Sequence, residues 1–246
     1  MKHLKVFISA LILLGALSCT KNQTDGTGQV IFEVQSRQDI VEVTKSQVSD
    51  YTTPPSASDF EITIKDSKNE TFWTGKVSEW VSSTPLLAGT YTVEASYGSF
   101  EEEGFDKPYF FGETSFEVKG GLSVAVPIEV SLANTIIKVE CTDNFKNYFK
   151  DYTFTLTRDG SDVVEFTKTV VDAGSAAFID GYKIKVEGTL VGEFKTQTFA
   201  ADYSDLDVAK AYTLEFDAPN VGGSTITISF NHDVMDVELG DVELNE

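Results

Sequence analysis

The chain reads as all-β: two tandem β-sandwich domains of the immunoglobulin or transthyretin-like, Greek-key kind, behind an N-terminal leader. Three observations predict this. Apolar and polar residues alternate in many short runs, no segment sustains a helical period, and the runs recur in the same order further along the chain.

The leader comes first. Lys2, His3 and Lys5 precede an apolar run from Val6 to Leu17, and the small residue Ser18 follows. That is the layout of a secretory signal peptide over residues 1–18, with an apolar stretch too short to persist as a membrane-spanning helix. Ala16-Leu17-Ser18-Cys19 resembles the bacterial lipobox, with Ala16 where Leu is usual. The resemblance implies that Cys19 becomes the acylated first residue and that the membrane is a partner through it. One acyl chain holds only marginally, whereas two or three hold firmly. Residues 19–27 are polar and glycine-bearing, the composition of a flexible tether.

Strands follow. Phe60-Ile62-Ile64, Tyr91-Val93-Ala95 and the long run Val124-Val126-Ile128-Val130-Leu132 each alternate with polar or small neighbours. So do Tyr152-Phe154-Leu156, Tyr182-Ile184-Val186, Tyr212-Leu214-Phe216 and Ile226-Ile228-Phe230. A period of two gives one buried and one wet face. Gly120-Gly121, Asp159-Gly160 and Gly222-Gly223 mark turns between runs. Only residues 144–150 have the look of a short helical turn.

Internal similarity divides the chain. Residues 59–64 resemble 151–156, and 89–93 resemble 180–184. Residues 114–116 parallel 197–199, and 132–137 loosely parallel 223–228. The shared order indicates a duplication, with domains at 28–132 and 133–246 and almost no linker at Ala133-Asn134. The short joint predicts a semi-rigid rod.

Composition narrows the function. Against 19 basic residues stand 39 acidic ones, a formal charge of −20, which repels nucleic acid and anionic head groups. Beyond Cys19 the one cysteine is Cys141, so no internal disulfide forms in the mature chain. Cys141 shares a strand face with Ile137 and Val139 and reads as a small buried hydrophobe rather than a reactive thiol.

After the leader the one histidine is His232, and no phosphate-binding glycine loop follows a strand. A non-enzyme without cofactor or metal is expected. Glu101-Glu102-Glu103 with Asp106, and Asp202, Asp205 and Asp207, form acidic groups in what the repeat makes matching loops. They lack EF-hand spacing and read as solvated, with calcium the alternative. Trp73, Trp80 and Tyr109 are the candidate ligand-stacking aromatics, with core packing as their competing role.

Leu87-Ala88-Gly89-Thr90-Tyr91-Thr92-Val93-Glu94-Ala95, Pro108-Tyr109-Phe110-Phe111-Gly112 and Leu132-Ala133-Asn134-Thr135-Ile136-Ile137-Lys138-Val139 carry a resemblance over most of residues 28–246. The chain resembles cell-adhesion lipoproteins of gut Bacteroidetes that contain a domain of unknown function. It is more distantly similar to fimbrillin-type pilus proteins. The resemblance implies a non-catalytic protein at the outer membrane, on the cell surface or the periplasmic face. The role it implies is adhesion or fimbria-related interaction. A glycan-binding lipoprotein of a nutrient-uptake complex is the alternative. In fimbrillins a leading strand is cut after a basic residue and a strand from the next subunit takes its place. The resemblance thereby singles out Arg37 and Lys45 beside the first strand, and 237–239 and 242–244 as donor strands. Protein partners by strand addition, or host and bacterial surface ligands, are the expected partners.

Overall fold

The structure is a computed structural model that describes residues 26–40, 46–181, 183–218, 225–230, 233–238 and 240–241. Cys19, Lys45, Tyr182, His232, Gly222-Gly223 and 242–244 lie outside the described residues.

The chain is all-β. Its first half contains β1 (Thr27–Ser36), β2 (Asp39–Ile40), β3 (Ser46–Gln47), β4 (Glu61–Asp66), β5 (Thr71–Lys76), β6 (Leu86–Leu87), β7 (Gly89–Tyr97), β8 (Gly104–Phe105), β9 (Phe110–Val118) and β10 (Ser123–Leu132). The second half contains β11 (Thr135–Cys141), α1 (Asp143–Tyr148), β12 (Asp151–Arg158), β13 (Ser161–Thr167), α2 (Lys168–Asp172), β14 (Ala176–Ile179), β15 (Lys183–Val191), β16 (Thr196–Ser204) and β17 (Ala211–Asp217). It ends with β18 (Thr225–Phe230), β19 (Asp233–Glu238) and β20 (Gly240–Asp241). α1 is the short helical turn expected near residue 144, and the Thr142 hydroxyl caps it by accepting from the Phe145 amide.

Strand pairing repeats between the halves. β1 runs parallel to β10 and antiparallel to β6, while β11 runs parallel to β17 and antiparallel to β14. The antiparallel series β5-β4-β7-β9 recurs as β13-β12-β15-β16. The matches of 59–64 with 151–156 and of 114–116 with 197–199 therefore fall on equivalent strands. The match of 132–137 with 223–228 does not: the counterpart of β10 is β17, and β18 is an added strand paired to it. The two acidic loops do not correspond either. Residues 98–109 join β7 to β9, while Asp202 lies in β16 and Asp205 and Asp207 follow it.

Alternation along these strands builds two buried clusters. Val30, Phe32, Ile62, Ile64, Val93, Val126 and Ile128 belong to the first, and Phe154, Leu156, Val186, Leu214 and Phe216 to the second. The first cluster also takes in Ile136, Phe178 and Ala211 from the second half. Apolar packing thus continues across the junction. There Asn134 is almost wholly buried: its side-chain oxygen accepts from the Tyr109 amide and its carbonyl from the Ala209 amide at 2.8 Å.

β9 meets β10 only at Phe110-Phe111 against Leu132-Ser131. Gly112 makes that approach possible, because a Cβ there would collide with the Glu129 carbonyl. Beyond it the two strands diverge around a cleft of about 540 Å³ lined by Phe116, Leu122, Val124 and Pro127. In the second half the equivalent space is occupied: β18 pairs with β17, and β20 with β16.

Candidate functional site

The junction is built from both halves. The 98–109 loop of the first half reaches over, and its β8 pairs with β14, adding a strand to the second half's sheet. Phe105 packs edge-on to Phe166 at 5.0 Å. Glu103 binds Arg158 through Nη1 to Oε2 at 2.9 Å and Nη2 to Oε1 at 2.8 Å. The Asp180 amide donates to the same carboxylate, and the Arg158 guanidinium also donates to the Asp180 carbonyl. Glu103 is thus held as a bidentate clasp. The expectation of a solvated acidic loop is corrected at this residue. What the sequence lacked was any local sign that Arg158, on a strand of the other half, would face it. Among the described residues no three His, Cys, Asp or Glu side chains converge as a metal site.

The three candidate aromatics separate. Trp80 donates its indole N–H to the Val30 carbonyl at 2.9 Å and packs edge-on to Phe32 and to Trp73. Both tryptophans are half-buried against the first core. Tyr109 instead joins Phe100 and Phe111, at ring separations of 5.8 and 6.4 Å. Phe100 is 50% and Phe111 37% exposed, so this trio presents ring surface to solvent. Burial, with a smaller contribution from Glu94, raises the Tyr109 phenol above its usual pKa. The sequence places Phe111 two residues from Tyr109, but it does not show Phe100 as a companion, because the 98–109 loop brings Phe100 there only in the fold.

Beside the clasp, a cleft of about 610 Å³ is lined by Arg158, Asp162, Lys183, Lys185, Glu187 and Asp202. At the far end of the second half, Phe194 stands 93% exposed in the β15–β16 turn. Cys141 is partly buried, and burial pushes its thiol up to about 12. That pKa leaves almost no thiolate at neutral pH, the form that reacts. Arg37 follows β1 directly and pairs with Glu129 of β10 on the surface. β1 itself is held along its length by β10. Among the described residues, no helix is long and apolar enough to cross a membrane.

A family model described as a domain of unknown function (DUF4493) matches residues 26–245. The chain belongs to that family. Its match spans both halves, clasp included. No curated protein is similar to the chain. Among solved structures, a fimbrial assembly protein from Parabacteroides distasonis is similar at TM-score 0.48 and 6% identity. That likeness covers 86% of this chain and 98% of that one. A candidate cell adhesion protein from Bacteroides eggerthii is similar at 0.44 and 9%, covering 88% and 97%. A candidate polysaccharide-binding protein from Bacteroides thetaiotaomicron is similar at 0.42 and 10%, covering 87% and 99%.

Proposed function

We propose that this DUF4493 protein is a non-catalytic lipoprotein of the outer membrane, anchored at Cys19, whose two domains (28–132 and 133–246) form a stiff stalk for adhesion or fimbria-related contacts. The observation that carries this reading is the polarity of the chain. β1 and β10 run parallel, so Gly26 and the second half lie at opposite ends of the first half. A membrane anchor seven residues before Gly26 would leave the second half projecting outward. The clasp of Glu103 and Arg158 would keep it there. A partner strand has an open edge to join, the outer side of β10 from Ser123 to Glu129, whose counterpart β17 carries β18. Pro127 on that edge lacks a donor and limits casual pairing.

The test is Cys19→Ser in the native bacterium, with protease shaving of whole cells. Release of the variant from membranes, and loss of the wild-type protein on shaving, are expected. A variant that stays in the membrane fraction would overturn the anchor.

A second reading, glycan binding, is favoured by the Phe100-Tyr109-Phe111 trio, since exposed rings stack on the apolar faces of sugars. A glycan array separates the two: saturable sugar binding lost in Tyr109→Ala would establish the second.

A further inference from the structure

Three segments meet where the chain enters the first half. The Ala88 amide donates to the Gly26 carbonyl and the Gly121 amide to the Thr27 carbonyl, each at 2.8 Å, and the Gln29 amide donates to the Leu122 carbonyl at 2.9 Å. Thr27 pairs with Leu87, and Gly28 sits so close to the Lys119 carbonyl that a Cβ there would collide. The three segments are thus locked into one rim, at the end of the first half away from the second.

Two features mark this rim. Leu87 is 68% and Leu122 47% exposed, one on either side of the entering strand. The three segments themselves also carry little charge. Of 246 residues 39 are Asp or Glu, yet residues 26–32, 81–93 and 119–128 contain none. Their one charged residue is Lys119, paired to Glu117 at 3.3 Å just outside. The acids at this end stand beside these segments, with Glu117 near the end of β9 and Asp66 opposite Tyr91 at the end of β4.

We infer that this rim is a membrane-contact surface: Leu87 and Leu122 enter the lipid head-group layer and, beside the anchor, set the stalk upright. The inference rests on the anchor reading above. From Cys19 to Gly26 a fully extended chain spans at most about 25 Å, so the rim is within reach of the bilayer. Two leucines are too little to bind a membrane unaided, but next to acyl chains they have only to fix an orientation. The occupant is the lipid surface itself rather than a protein, because an anchor seven residues before Gly26 brings this end of the first half, with its two exposed leucines, to the bilayer.

The test uses the full lipidated protein in phosphatidylcholine vesicles. Single variants Leu87→Cys, Leu122→Cys and Phe194→Cys each carry a small thiol-reactive fluorophore, and nitroxide-bearing lipids act as quenchers. Cys141 does not compete for the label at neutral pH. Quenching of about twofold or more at 87 and 122, with none at 194, is expected for residues entering the head-group region. Flotation with the vesicles but no quenching at 87 and 122 overturns the rim and leaves the anchor standing. Failure of the protein to float overturns the anchor reading and the rim together.

Discussion

Glu103 and Arg158, one on each half of the chain, meet through two parallel hydrogen bonds of 2.9 and 2.8 Å, and the same carboxylate accepts from the Asp180 amide. Their side chains are only 18% and 26% exposed, so the pair is worth more than a surface ion pair. Removing one partner strands the other's charge and the backbone groups that it holds. Glu103→Ala and Arg158→Ala should each cost about 2 kcal/mol in denaturant unfolding. A double-mutant cycle should return a coupling of about 1 kcal/mol or more. Strictly additive losses would mean that the clasp holds nothing together.

Gly112 gives a second, backbone-level test. A methyl group at this position would be driven into the Glu129 carbonyl, at the one corner where β9 and β10 pair. The nearest obstruction is backbone, which cannot swing aside, and the Val130 side chain crowds the same space. Gly112→Ala should therefore destabilise the protein by about 2 kcal/mol or more, and should open the β9–β10 cleft further. Hydrogen exchange at Phe110 and Leu132 would read the opening directly. Unchanged protection there would contradict the close approach.

Alkaline pH should unfold the protein early. Burial raises the Cys141 thiol from 9.0 to about 12 and the Tyr203 phenol from 10.0 to about 12, and it raises the neighbouring Tyr152 phenol as well. For each group the folded pKa lies above the unfolded one. As pH rises past about 9 for the cysteine and 10 for the tyrosines, the unfolded chain gives up protons first. Stability complete below pH 9 is then lost progressively towards pH 12. The slope approaches about 1 kcal/mol per pH unit for each buried group. Cys141→Ala should flatten the decline between pH 9 and 10, where the thiol, with the lowest ordinary pKa of these groups, contributes first. Identical midpoints for variant and wild type across that interval would refute it.

How much of this could be read from the sequence follows from where the information sits. The period-two runs of β10, β12 and β17 were legible because each strand carries its own face assignment in its residues. The repeat was legible where equivalent strands kept similar residues, as in β4 and β12. It misled at 223–228, because β18 has the same alternation as any strand and no residue states which edge it joins. The clasp was not legible at all. Glu103 sits among Glu101 and Glu102 in a run that looks solvated, and only the pairing of β8 with β14 singles it out. Of the Phe100-Tyr109-Phe111 trio, the neighbours Tyr109 and Phe111 were legible as an aromatic pair, and Phe100 was not, because only the loop's path brings it to them.

The tryptophans and the trio make opposite predictions, and the contrast decides between packing and binding. Trp80 gives its N–H to Val30 of β1 and its ring to Phe32 and Trp73, all inside the first half. Trp80→Ala should cost about 3 kcal/mol, the cost of removing a large packed ring together with a hydrogen bond that satisfies a strand carbonyl. Trp80→Phe keeps most of the ring packing and should lose only about 1 kcal/mol. Tyr109 and Phe111 pack on the outer face, where Phe111→Ser should shift stability by less than about 1 kcal/mol. If sugars bind, Phe111→Ser should abolish binding while leaving the melting temperature nearly unchanged, and Trp80→Phe should leave binding intact. A glycan response that instead followed Trp80→Phe would place the sugar on the tryptophans and remove the trio from consideration.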